Sequence, residues 1–69
     1  MDMNVLKGQW KVIKGEARRK WGKLTGDDLE AVAGDKDILI GKLQTRYGKE
    51  KADAESEVNA WLKDLDKSK

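Results

Sequence analysis

The sequence contains no cysteine, no histidine, no proline and no phenylalanine. Without cysteine, no disulfide can staple the fold. Without cysteine and histidine, neither a zinc site of the Cys₂His₂ type nor a Ser-His-Asp or Cys-His nucleophile can be assembled. Long apolar runs are missing too. None approaches the roughly 20 residues a helix needs to cross a bilayer. The first residues, from Met1 to Lys7, carry no apolar core of signal-peptide length. The expectation is a cytoplasmic protein with no membrane partner, no cofactor, no metal and no catalytic residue.

What is present is charge. Of the 69 residues, 41% are charged and 38% hydrophobic, which allows one modest core and a single domain over 1–69, ordered from about 4 to 65. A core of this size supplies about 3–5 kcal/mol. The net charge of +2 is too small to demand a polyanion partner, but its distribution is uneven. Residues 1–24 carry a net +5, and residues 25–69 a net −3. The basic part can meet phosphate, or it can face the acidic part of the same chain.

The apolar spacing predicts four helices. Leu6, Trp10, Ile13, Ala17 and Trp21 line one face of a helix from about Asn4 to Trp21, capped by Asn4 or Asp2. Gly22 stands where a left-handed residue commonly ends a helix, after the cations Arg18, Arg19 and Lys20 that favour that end. Thr25 is the expected N-cap of a short helix to about Ala33, with Asp28 three residues on as a short-armed capping box. Leu29 and Val32 point inward, and Gly34 is the stop. Asp35 or Asp37 starts a third helix, with Ile38, Leu39, Ile40, Leu43 and Tyr47 as its apolar surface and Gly48 at its end. Ala54, Val58, Trp61, Leu62 and Leu65 form the inner stripe of a fourth, from about Glu50 to Leu65, followed by a frayed tail.

A shift of 26 residues aligns the chain on itself: Gly8, Gly15 and Gly22 fall on Gly34, Gly41 and Gly48, and Trp21-Gly22-Lys23 falls on Tyr47-Gly48-Lys49. Each half reads as a helical hairpin, and the two can pack across a pseudo-two-fold axis. Gly15 and Gly41 lie mid-helix, where glycine costs about 1 kcal/mol relative to alanine. The expectation is that they permit close helix–helix approach.

Motifs for chemistry are few. Gly22-Lys23 lacks the rest of a phosphate loop, since Ala17 and Leu24 stand at the required positions. Asp35-Lys36-Asp37 begins like a calcium loop but continues with Leu39 and Ile40, so helix capping is the favoured role. The carboxylate pairs Asp27 with Asp28, and Asp53 with Glu55, fall on solvated faces, where no concave site of enzyme size is expected. Lys7, Lys11, Lys14 and Arg18 form a basic stripe that could track a phosphate backbone, and the alternative is internal pairing with acidic residues such as those of the last helix. Trp10, Trp21 and Trp61 lie on apolar faces and are read as core anchors rather than base-stacking platforms. The chain is read as a monomer of unknown partner, with Val5, Val12 and Ile40 as leftover apolar surface that could support a homo-oligomer.

Taken together, Lys7-Gly8-Gln9-Trp10-Lys11, Lys14-Gly15, Trp21-Gly22-Lys23-Leu24-Thr25, Asp27-Asp28-Leu29, Gly34, Gly41-Lys42-Leu43-Gln44, Arg46-Tyr47-Gly48, Ala54-Glu55 and Glu57-Val58 resemble the CsbD family of small bacterial stress-response proteins. The resemblance implies an all-α domain of two helical hairpins packed crosswise, similar to the SAM-like arrangement, in a bacterial cytoplasmic protein. It supplies no catalytic residue and no ligand. Gly26 and Lys49 depart from the family pattern, so a looser start to the second helix and a less packed turn after Tyr47 are expected. The functional expectation is a non-enzymatic stress-response protein acting by interaction or as a hydrophilic protectant. The alternative is nucleic-acid binding through Lys7, Lys11, Lys14 and Arg18.

Overall fold

Five helices are present among the residues described by the computed structural model, 3–67, with side chains described for 4–66. They are α1 (Met3–Gly8), α2 (Trp10–Lys20), α3 (Gly26–Val32), α4 (Lys36–Tyr47) and α5 (Lys51–Lys67), and no strand occurs among the described residues. Successive helices pack on one another, α1 on α2, α2 on α3, α3 on α4 and α4 on α5.

The expected first helix is thus two. Gln9 leaves helical geometry at φ −111° and ψ 14°, directly after Gly8, a weak helix former. Bonds from Gln9 N to Val5 O (2.9 Å) and Ile13 N to Gln9 O (3.0 Å) span the break, so the chain kinks rather than turns away. Leu6 and Trp10 therefore stay on one buried face. Asn4 lies inside α1 and does not cap it, and Asp2 lies outside the described residues.

The helix ends follow local chemistry. Thr25 Oγ1 accepts from Asp28 N (3.1 Å), and Asp28 Oδ2 accepts from Thr25 N (3.0 Å), a complete capping box. Gly26 does not loosen this start. Ala33, at φ 49°, takes the left-handed conformation at the end of α3, and Gly34 follows at φ 82°. Asp35 caps α4 through Oδ1, which accepts from Asp37 N and Ile38 N. Gly48 ends α4 at φ 67°. Gly22 does not repeat this, because its φ is not positive. Leu24 N bonds to Trp21 O (3.0 Å) and the Leu24 side chain is buried in the core, so the chain leaves α2 through a different turn. The helical part of the expected frayed tail extends through Lys67, and residues 68 and 69 lie outside the described residues.

The core gathers Leu6, Trp10, Ile13, Ala17, Trp21, Leu24, Leu29, Val32, Leu39, Ile40, Leu43, Ala54, Val58, Trp61 and Leu62, with Tyr47 and Leu65 packed at its margin. Trp21 and Trp61 meet edge to face at 4.9 Å. Ile38 departs from expectation: it is 42% exposed, off the stripe formed by Leu39 and Leu43. Ile40 is buried and is not leftover surface, whereas Val12 is 78% exposed.

The glycines at the repeat positions serve different ends. A Cβ placed on Gly15 or Gly41 would meet no atom within 4 Å, so neither permits a close helix crossing. Gly34 is where backbones approach: a Cβ there would sit 2.6 Å from Lys7 Cα. The end of α1 thus lies directly on the α3–α4 turn. The radius of gyration, 10.9 Å, matches the value of about 11 Å expected for a folded chain of this length.

Candidate functional site

The sequence stripe is only partly neutralised by the fold. Lys14 pairs with Glu30 of α3, and that ammonium holds the Glu30 carboxyl below its ordinary value. Lys7, Lys11 and Arg18 are exposed and make no ion pair with any described residue. The acidic residues of α5 do not cover the stripe. Glu57 instead accepts from the Trp21 indole and pairs with Lys49 (3.0 Å). Burial pushes the Glu57 carboxyl up, but the indole and the ammonium outweigh it, and the net shift is downward.

The two aromatic-Gly-Lys segments meet. Lys23 N donates to Tyr47 Oη (3.1 Å), and the Lys23 and Lys49 ammonium groups lie 5.2 and 5.9 Å from the centre of the Tyr47 ring. Lys20 lies 5.7 Å from the Trp21 ring centre. Lys49 thus engages the Tyr47 ring, while Gly48 and Glu50 on either side of it are exposed. Trp10, Trp21 and Trp61 are all buried, and Trp10 Nε1 donates to Leu29 O (2.9 Å), tying α2 to α3.

Asp28 is a buried charge that sequence reasoning missed beyond its capping role. It is 3% exposed. Arg46 of α4 grips it with Nε on Oδ2 and Nη2 on Oδ1, both at 3.0 Å, and Lys42 Nζ lies 3.5 Å from Oδ1. The guanidinium first, and then the Thr25 amide, hold its carboxyl far below the usual carboxylate range. The pairing raises Arg46 in turn. A capping aspartate next to inward Leu29 was the available signal, but nothing in the sequence pointed to Arg46 as its partner.

A cleft of about 490 Å³ opens between α2 and α3, lined by Lys14, Gly15, Arg18, Gly26, Asp27, Leu29 and Glu30. Its volume is above the roughly 300 Å³ at which ligand pockets begin, but it is a surface cleft widely open to solvent. Gly15 and Gly26 carry no side chain into the gap. Asp27 and Asp28, paired in sequence, are separated by the fold: Asp28 turns inward and Asp27 stays on the cleft wall. Asp53 and Glu55 are both exposed on α5. No group of three or more acidic residues among those described is placed to hold a metal ion, and Asp35 is engaged as a cap. No helix among the described residues is long and apolar enough to cross a membrane.

Comparison with known proteins covers nearly the whole chain. The model of the CsbD-like family matches residues 4–56. A UPF0337 protein of Pectobacterium atrosepticum is 49% identical over 61 residues, 88% of each chain. One from Pseudomonas aeruginosa is 50% identical over 58 residues, 84% of this chain and 89% of the relative. The UPF0337 protein YjbJ of Escherichia coli is 50% identical over 54 residues, 78% of each. No solved structure gives a significant match. With a family match spanning most of its length and bacterial relatives at half identity, the chain belongs to the CsbD-like family.

Proposed function

We propose that this chain is a non-enzymatic stress-response protein of the bacterial cytoplasm that acts by interaction or as a hydrophilic protectant. The observation that carries the reading is the CsbD-like family match of a chain that is 41% charged. Asp28, Glu30 and Glu57 are all held low by cations or hydrogen-bond donors. They are ionised at neutral pH, whereas a general acid needs a carboxyl pushed up. These groups fasten helices to one another and leave a strongly hydrated surface. The crosswise, SAM-like pairing of two hairpins belongs to the same proposal, supported by the packing of α2 on α3 and α4 on α5. The test is recovery of a labile enzyme after drying or freezing. Recovery better than with an equal mass of an unrelated small protein is expected, and equal recovery would count against protection.

A second reading, nucleic-acid binding, is supported by the exposed cations Lys7, Lys11 and Arg18, which make no ion pair among the described residues. It expects affinity for DNA or RNA that falls steeply with salt and is lost in Lys11→Glu/Arg18→Glu. A low-salt titration without binding would end it.

A further inference from the structure

The cleft between α2 and α3 has a composition that core packing does not explain. Gly15 is mid-helix with no positive φ and no neighbour that excludes a side chain. Glycine there weakens α2 by about 1 kcal/mol relative to alanine, and it leaves open space beside the helix. Gly26 keeps the opposite wall low, with the Arg18 guanidinium 3.5 Å from where a Cβ would stand.

The charges on the walls divide into two kinds. Lys14 and Glu30 neutralise each other. Arg18 and Asp27 do not: each lines the cleft, is exposed, and makes no ion pair or hydrogen bond to a described side chain. Asp27 directly follows the glycine that Arg18 lies against, so both charges border the same space without closing on each other. Buried Leu29 contributes apolar lining.

The geometry points to a binding site for a small aliphatic zwitterion, with its carboxylate on the Arg18 guanidinium, its ammonium on Asp27 and its aliphatic part over Gly15 and Leu29. Arg is suited to the first contact because its planar fork matches a carboxylate. A bare anion would leave Asp27 unmatched, and a bare cation would leave Arg18 unmatched.

Leucine is the probe, titrated into the full-length protein while backbone amide NMR shifts are followed. Two controls each lack one charge: 4-methylpentanoate has no ammonium and isoamylamine no carboxylate. Saturable shifts at Gly15 and Gly26 are expected with leucine, with binding about tenfold weaker for each control, as for loss of one charged hydrogen bond. Arg18→Gln and Asp27→Asn should weaken leucine binding by a similar factor. Gly15→Leu puts its Cβ where no atom lies within 4 Å and projects the rest of its side chain into the cleft, so it should fold and abolish the shifts. The proposal is overturned if leucine gives no saturable shift at either glycine, if one control binds as tightly as leucine, or if folded Gly15→Leu still binds.

Discussion

Arg46 of α4 closes a two-point grip on Asp28 of α3, Nε to Oδ2 and Nη2 to Oδ1, each at 3.0 Å. The same carboxylate completes the capping box of its own helix. One buried charge thus fixes both the start of α3 and the packing of α3 against α4.

Acid sensitivity follows from that grip. The Asp28 carboxyl lies far below 3.8 in the folded chain, and those of Glu30 and Glu57 lie below 4.5. At acid pH the unfolded chain binds more protons than the folded one, so stability falls as pH falls. The contribution is complete above the unfolded values and is lost progressively as pH drops through them toward the folded ones. Thermal melts between pH 7 and pH 2 should show the midpoint falling from about pH 4.5 downward. Asp28→Asn should melt lower than the parent at pH 7, with the gap narrowing in acid. A constant gap across that range would refute the assignment.

Lysine cannot replace Arg46. Its ammonium is a point charge without the planar fork that meets both Asp28 oxygens. Arg46→Lys should therefore lower the melting temperature, although formal charge is unchanged, and Lys42→Gln, which removes the 3.5 Å contact, should lower it less. Equal effects would mean that charge alone matters at Asp28.

Thr25→Ala removes the hydroxyl that accepts from Asp28 N. The expected loss is about 1 kcal/mol by chemical denaturation. A loss under a few tenths would show that the Arg46 contact alone holds the start of α3.

The glycines should sort by backbone and space rather than by place in the repeat. Gly34→Ala puts a methyl 2.6 Å from Lys7 Cα at a φ of +82°, and should cost more than the roughly 1–2 kcal/mol of left-handed strain alone. Gly15→Ala and Gly41→Ala meet no atom within 4 Å in helical backbone, and each should stabilise by up to about 1 kcal/mol. Ala33→Gly, at φ 49°, should stabilise as well. Urea denaturation of the set gives the order directly.

Leu43→Ala opens a cavity at a fully buried position, and should cost about 2–5 kcal/mol. That approaches the whole stability expected of a core this small. The variant should be largely unfolded by circular dichroism at 37 °C, and a cooperative melt near the parental midpoint would contradict the assigned core.

The sequence by itself determined the helical class, the buried stripes and most helix ends. Spacing decides which side chains share a helical face, and the Thr25, Asp35 and Gly48 caps act within a few residues of themselves. The break at Gln9 follows directly on Gly8, but the burial of Asp28 depended on a partner distant in sequence, Arg46, which reaches it from the next helix. The repeat aligned Trp21 with Tyr47, but Trp21 caps α2 fully buried while Tyr47 ends α4 at the core margin, and Leu24 enters the core and gives the first half a different turn from the second. The basic stripe was legible because Lys7, Lys11, Lys14 and Arg18 share a face by spacing alone. That the chain neutralises Lys14 through Glu30, and that Arg18 and Asp27 border one cleft, was decided only when α3 came to rest beside α2, because a charge's partner is set by distance in space, to which spacing along one helix is blind.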